Sequence, residues 1–140
     1  MRFSMKSLGF LCVSACVSLW ASESQARSGA TGKSGQDAES GYVWANSPSV
    51  ASYTPSTTYQ YNSTGAINTI TRSGVGAYAV RFPGLKTLGG VAQVTSYGGG
   101  NTYCNVGSWF LSGTDTVVNV RCFAPNGTPA DSMYTVLFLN

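Results

Sequence analysis

The chain has 140 residues, a length that suits one domain, with 43% hydrophobic and only 9% charged residues. That balance excludes a disordered chain, which needs low hydrophobicity and usually high charge. The net charge of +3 is small and scattered, so it offers no footprint for nucleic acid, and there is no histidine.

Residues 1–26 have the layout of a secretory signal peptide. Arg2 and Lys6 form a positive start, and Leu8 to Ala21 form the apolar stretch. At about 14 residues that stretch falls short of the roughly twenty that a spanning helix needs. Ser24-Gln25-Ala26 offers small residues where a signal peptidase reads, so cleavage is expected after Ala26. A second route is open. Val13-Ser14-Ala15-Cys16 resembles a bacterial lipobox, on which the chain would be lipid-anchored at the cell envelope through Cys16. Against that route, the apolar run continues past Cys16 through Val17, Leu19 and Trp20. The expected location is therefore secreted or extracellular. Cys12 and Cys16 leave with the signal, and Cys104 and Cys122 remain in an oxidising compartment where a bridge persists.

Residues 27–40 (RSGATGKSGQDAES) contain no apolar side chain larger than alanine and read as a flexible leader. The domain is expected over residues 41–140, about 100 residues, enough for a core of its own. From Gly41 onward strand signals recur at short spacing, with turn residues between them. The first strand is GYVWAN at 41–46. Pro48 and Pro55 keep the next stretch from being a central strand. TTYQYN at 57–62 is the second strand and leads into a turn at Asn62 to Gly65. Strands over 66–72 and 76–82 meet through Ser73-Gly74. GVAQVTSY at 90–97 follows, then a loose loop at Gly98 to Gly100. The stretch 103–123 comes next, two strand-type runs about a turn at Gly113-Thr114-Asp115. Asn126-Gly127, a tight-turn dipeptide, then leads to SMYTVLFL at 132–139. The expected class is all-β: an antiparallel β-sandwich of about eight strands, Ig-like or jelly-roll-like, with one disulfide. Tyr78-x-Val80-x-Phe82 recurs as Tyr134-x-Val136-x-Phe138, each after a Trp-bearing strand (Trp44, Trp109). This reads either as a weak internal duplication or as the ordinary likeness of β-hairpins.

The stretch YCNVGSWFLSGTDTVVNVRCF at 103–123 carries both remaining cysteines, nine residues on either side of Gly113. A hairpin centred there sets Cys104 opposite Cys122. The bridge closes about 17 intervening residues and is expected to contribute roughly 3 kcal/mol by chain entropy. In that register Cys104, Val106, Ser108, Val118, Val120 and Cys122 share a dry side. Tyr103, Asn105, Trp109, Arg121 and Phe123 share the other, with Trp109 opposite Val117. That second side is a candidate ligand-contact patch, or a face covered by the N-terminal strand.

Catalysis is not expected. Acid–base hydrolysis needs two placed carboxylates, and from Gly41 on there are only Asp115 and Asp131, both in turn or capping contexts. The missing histidine removes a Ser–His triad, and no motif surrounds Lys86. No metal or other cofactor is expected, because two bridged cysteines and two separate carboxylates make neither a zinc nor a calcium set. Gly98 to Gly100 opens no helix and so is no phosphate loop. Arg72, Arg81, Lys86 and Arg121 lie singly. Asn62-Ser63-Thr64 and Asn126-Gly127-Thr128 fit a glycosylation pattern but sit in turns.

Aromatic residues carry the stronger signal. Tyr42, Trp44, Tyr53, Tyr59, Tyr61, Tyr97, Tyr103 and Trp109 are many for one domain. Rings beside Asn, Gln and Arg suit a sugar-binding face, whereas buried rings are ordinary sandwich core. The exposure of Trp44 and Trp109 separates these readings. From Gly41 on, GYVWAN, ASYTPSTTYQYNSTG at 51–65, TRSGVGAYAVRFPGL at 71–85, and VVNVRCF at 117–123 with Tyr134-Thr135-Val136 resemble a family of small, uncharacterised secreted bacterial β domains. Some members repeat in tandem in larger proteins. The resemblance implies a secreted β module and carries over no catalytic or ligand residues. The leading expectation is a non-catalytic extracellular module that binds a polysaccharide or protein partner at the cell surface. The alternatives are a self-assembling surface module and an inhibitor that presents Phe110 to Thr114 to an extracellular hydrolase.

Overall fold

The two Tyr-x-Val-x-Phe strands face each other across the centre of the domain. Tyr78 packs on Tyr134 with ring centroids 5.0 Å apart, and Phe82 on Phe138 at 6.4 Å. This is seen in a computed structural model that describes residues 38–86 and 89–140. The expected signal peptide and the leader as far as residue 37 lie outside the described residues.

The described chain forms strands β1 (Ser40–Ala45), β2 (Ser52–Tyr53), β3 (Gln60–Asn62), β4 (Thr69–Gly74), β5 (Ala77–Phe82), β6 (Val91–Tyr97), β7 (Tyr103–Ser112), β8 (Asp115–Phe123) and β9 (Met133–Leu139). They build two antiparallel sheets that form a β-sandwich, of order β3-β1-β9-β6 and β2-β4-β5-β8-β7. The strand count is nine among the described residues, against about eight expected. The added strand is β2, two residues long, at a sheet edge between Pro48 and Pro55. Proline lacks the N–H for a ladder, so the chain pairs only where neither proline interferes. The expected strand at 57–62 is shortened because Thr57–Tyr59 coil into a 3-10 turn, capped by the Ser56 hydroxyl accepting from Thr58 N.

Alternation sorts the core. Val43, Ala45, Ile70, Tyr78, Val80, Phe82, Val118, Val120, Tyr134, Val136 and Phe138 all point between the sheets and are essentially inaccessible. Burying a side chain of the Val or Phe class stabilises by roughly 1.5–3 kcal/mol, so this shared interior holds the two layers together. Gly41 begins the inward row of β1 because the Phe82 ring occupies the space; a Cβ there would lie 2.5 Å from Phe82 Cδ1. Thr116 is buried with its hydroxyl donating to Leu85 O at 2.7 Å, so its polar atom is satisfied. The Trp-bearing strands that precede the two core motifs are not equivalent. Trp44 lies on β1, paired on both sides, and Trp109 lies on the edge strand β7. The internal likeness is thus confined to the two core strands.

Among the described residues two buried side-chain oxygens have no hydrogen-bond partner, Glu39 Oε2 just before β1 and the Tyr134 hydroxyl in the core. Burial pushes the ionisation of Tyr134 well above the ordinary tyrosine range. An unpaired buried hydroxyl costs about 1–3 kcal/mol. Tyr134→Phe is therefore expected to leave stability unchanged or to raise it by up to about 1 kcal/mol, read from urea midpoints, whereas most core changes destabilise. A loss above about 1 kcal/mol would show that the hydroxyl is paired after all.

The hairpin β7–β8 holds the disulfide Cys104–Cys122, with Cys104 opposite Cys122 as expected. The remaining register needs correction. The turn is the two-residue loop Gly113-Thr114, closed by Ser112 opposite Asp115, so it is not centred on Gly113. A turn there and a cysteine pair below require one extra residue on β7, and a bulge between Val106 and Ser108 supplies it. Gly107 is that residue; a Cβ there would make only an ordinary contact, 3.5 Å from Arg121 Cγ. Beyond the bulge every side chain changes sides. Ser108 faces Asn119, and the Asn119 amide donates to its hydroxyl at 2.9 Å. Trp109 faces Val118, not Val117 as expected.

Candidate binding face

The outward positions of the four-stranded sheet gather the aromatic residues. In β1 the inward row is Val43 and Ala45, which places Tyr42 and Trp44 outward. In β3 the order inverts the usual one: polar Gln60 and Asn62 are buried and Tyr61 is out. Side-chain hydrogen bonds to the flanking loops make this possible. Gln60 Nε2 donates to Pro55 O at 2.6 Å and Gln60 Oε1 accepts from Asn68 N at 2.8 Å. Asn62 Nδ2 donates to Asn68 Oδ1 and to Pro83 O, both at 3.0 Å. With both amides satisfied inside, β3 can turn its rings to solvent. The same bonds leave Asn62 6% exposed, so the first glycosylation-type triplet is closed to modification in the folded domain.

Cross-strand register then aligns the rings. Tyr61, Tyr42, Leu137 and Gln93 form one row, and Trp44, Thr135 and Thr95 the next. Trp44 stacks on Tyr59, with centroids 4.9 Å apart and planes 17° from parallel. Tyr42 and Tyr61 stack at 5.9 Å and 22°. On its other side Trp44 reaches across the small Thr135 toward Tyr97, 6.2 Å away. The Trp44–Tyr59 and Tyr42–Tyr61 pairs are offset stacks, in which rings overlap in part and leave part of each face uncovered, whereas Tyr97 is tilted 55° to Trp44. Trp44 remains 46% exposed and Tyr61 49%. No outward strand position of this sheet is charged; Gln93, Thr95 and Thr135 supply the polar groups. The face thus offers pre-ordered rings and neutral hydrogen-bonding groups. Burial pushes the Tyr97 phenol above its ordinary range, with a smaller contribution from nearby Tyr59.

The hairpin patch expected from the sequence is brought together only in part. Tyr103 and Phe123 stack at 5.5 Å, and Asn105 pairs with Arg121 beside them. Trp109 is on the opposite side of the hairpin from these four, because of the Gly107 bulge. It is 41% exposed there because β7 is an edge strand, and Phe110, 48% exposed, takes the outward place opposite Val117. This patch lies on the other sheet from the ring face.

Both domain carboxylates are committed to structure. Asp115 accepts from Gly84 N at 3.0 Å and from Arg81 at 2.9 Å, and these bonds hold its carboxyl below the usual range. Asp131 accepts from Arg72 Nε and NH2 at 3.0 and 2.8 Å, from Gly76 N at 2.9 Å and from the Tyr78 hydroxyl at 2.9 Å. The Arg72 bonds, aided by Gly76 and Tyr78 and opposed by partial burial, lower its pKa to about 2. A depressed carboxylate contributes stability that is present above its unfolded pKa and lost as pH falls through the folded one. About 2 kcal/mol is therefore expected to vanish between pH about 4 and about 2. Asp131→Asn should flatten that part of an acid-unfolding curve, and an unchanged slope would contradict it. Tyr78 is raised to about 12, first by burial and then by its bond to Asp131, so its contribution is lost on the alkaline side, from pH about 10 to about 12.

Among the described residues no group of three His, Cys, Asp or Glu is placed to hold a metal ion. Comparison with protein-family models, curated proteins and solved structures finds no significant match for this chain.

Proposed function

We propose that this chain is an exported, non-catalytic module whose four-stranded sheet binds a neutral polysaccharide. The single observation that carries this reading is the exposed stack of Trp44 on Tyr59, with half-buried Tyr97 at its other side and exposed Tyr42 and Tyr61 alongside, on a sheet face without charge. Sugar rings present C–H faces that pack on aromatic rings, and hydroxyls that pair with groups such as Gln93, Thr95 and Thr135. Rings already stacked on one another lose little freedom on binding, which favours affinity. The signal-like start of the chain and a disulfide of the kind that persists outside the cytosol support export.

The other readings draw less support. The tip of β7–β8 is a two-residue turn, a short device for reaching into a hydrolase cleft. For strand-by-strand assembly the edges β2 and β3 have two and three residues and β7 is interrupted by its bulge, which leaves the seven-residue β6 as the one edge among the described residues long and regular enough to carry it. The test is retention of the purified domain on cellulose, chitin, xylan and mannan. Retention on at least one, released by its soluble oligosaccharide and insensitive to salt, is the expected result. Passage through all four would overturn the reading.

A further inference from the structure

The ring face does not end at Tyr97. The same residue forms one wall of a cleft of about 310 Å³, bounded by the Gly98–Gly100 loop, Thr102 and the Asp131–Met133 segment. That volume sits at the small end of ligand pockets, the size for one sugar ring and not for a chain.

The Thr102 and Ser132 hydroxyls share a hydrogen bond at 2.7 Å, and Ser132 is also placed to donate to Met133 O at 3.2 Å. Whichever hydroxyl donates, Thr102 Oγ1 keeps at least one free acceptor lone pair. Asp131 Oδ1 takes three donors, while among the described residues Oδ2 takes only Arg72 Nη2, and the side chain is 26% exposed. The cleft therefore presents acceptors in want of donors, beside one aromatic ring. The Asp131 charge is already matched by Arg72, which removes the pull on a cation. A ligand with several hydroxyls fits this chemistry. The rim is kept low by glycine. A Cβ on Gly99 would meet nothing within 4 Å, so the fold does not demand glycine there, while a large side chain would stand at the cleft.

We infer that this cleft is a subsite for a single neutral sugar residue, belonging to the glycan that lies along the ring face. The inference rests on the polysaccharide reading, and its test separates the two. Cellohexaose, chitohexaose, xylohexaose and mannohexaose are titrated by calorimetry against the wild-type domain and against Gly99→Trp, Thr102→Val and Trp44→Ala. The matching monosaccharides are followed by amide NMR shifts. The expected result is that Gly99→Trp and Thr102→Val each weaken the bound hexaose about tenfold or more, with the thermal midpoint unchanged in Gly99→Trp and lowered in Thr102→Val by loss of its bond to Ser132. The monosaccharide should shift the Tyr97 to Gly100 amides in wild type and in Trp44→Ala alike. Hexaose binding that is the same in Gly99→Trp and Thr102→Val as in wild type would overturn the subsite and leave the ring face standing. Monosaccharide shifts at the cleft without any hexaose binding would uphold the cleft and overturn the ring face. Neither kind of binding would overturn both.

Discussion

Gly76→Ala is expected to cost at least about 3 kcal/mol and to lower the thermal midpoint by about 12 °C or more. Gly76 closes the β4–β5 turn at φ 64°, in the left-handed region that side chains avoid. The conformation alone would cost about 1–2 kcal/mol. The larger part is steric: an added Cβ would collide with the Cys122 carbonyl oxygen and sit 2.9 Å from Ala130 N. Both are backbone atoms, so neither can swing away. Relief requires the turn to leave β8. That would break Cys122 N to Gly76 O at 2.8 Å and Gly76 N to Asp131 Oδ1 at 2.9 Å. Gly65→Ala is the matched control. Its φ is also positive, at 77°, but nothing lies within 4 Å of the added carbon. It should cost only about 1–2 kcal/mol. Equal losses in the two variants would show that the contact at Gly76 is not what limits that position.

The second large effect is loss of the bridge. Cys104 and Cys122 are 18 residues apart, a loop whose closure is worth about 3 kcal/mol. Cys122 is fully buried, so Cys104→Ala with Cys122→Ala also leaves space in the core. The double variant should lose about 3–4 kcal/mol in urea unfolding, and reduction of the native protein should account for most of it. The damage should be local first. β7 pairs only with β8 in its sheet, so amides near Tyr103 to Val106 should lose exchange protection before those of β5 and β8. A loss below about 1 kcal/mol would mean that the loop is already constrained in the unfolded chain.

Much of this molecule is legible in its residues, and the failures have physical causes. The cysteine pair follows from its spacing about the turn and holds despite the bulge. The bulge was signalled by Gly107, an isolated glycine inside a strand, and overlooking it moves Trp109 to the wrong side. In GYVWAN the alternation of large rings with Val43 and Ala45 already separates two faces. In TTYQYN the same rule misleads, because it places amides outside and rings inside. Gln60 and Asn62 go in because Pro55, Asn68 and Pro83 supply their partners, through side-chain bonds that the alternation of a strand does not encode. The pairing of β1 with β9, which assembles the ring face, joins opposite ends of the domain and has no local signature. For that reason the sequence pointed to the hairpin patch, where neighbours are visible, and missed the richer face.

The most direct measurement compares Trp44→Ala with Trp109→Ala on whichever polysaccharide retains the native domain. Both side chains are about equally exposed, but only Trp44 is stacked on Tyr59 with Tyr97 tilted against it. Trp44→Ala should weaken binding by about tenfold or more, and Trp109→Ala should stay within about twofold of the native value. Native binding by Trp44→Ala, or a larger loss in Trp109→Ala, would contradict a glycan-binding role for the four-stranded sheet.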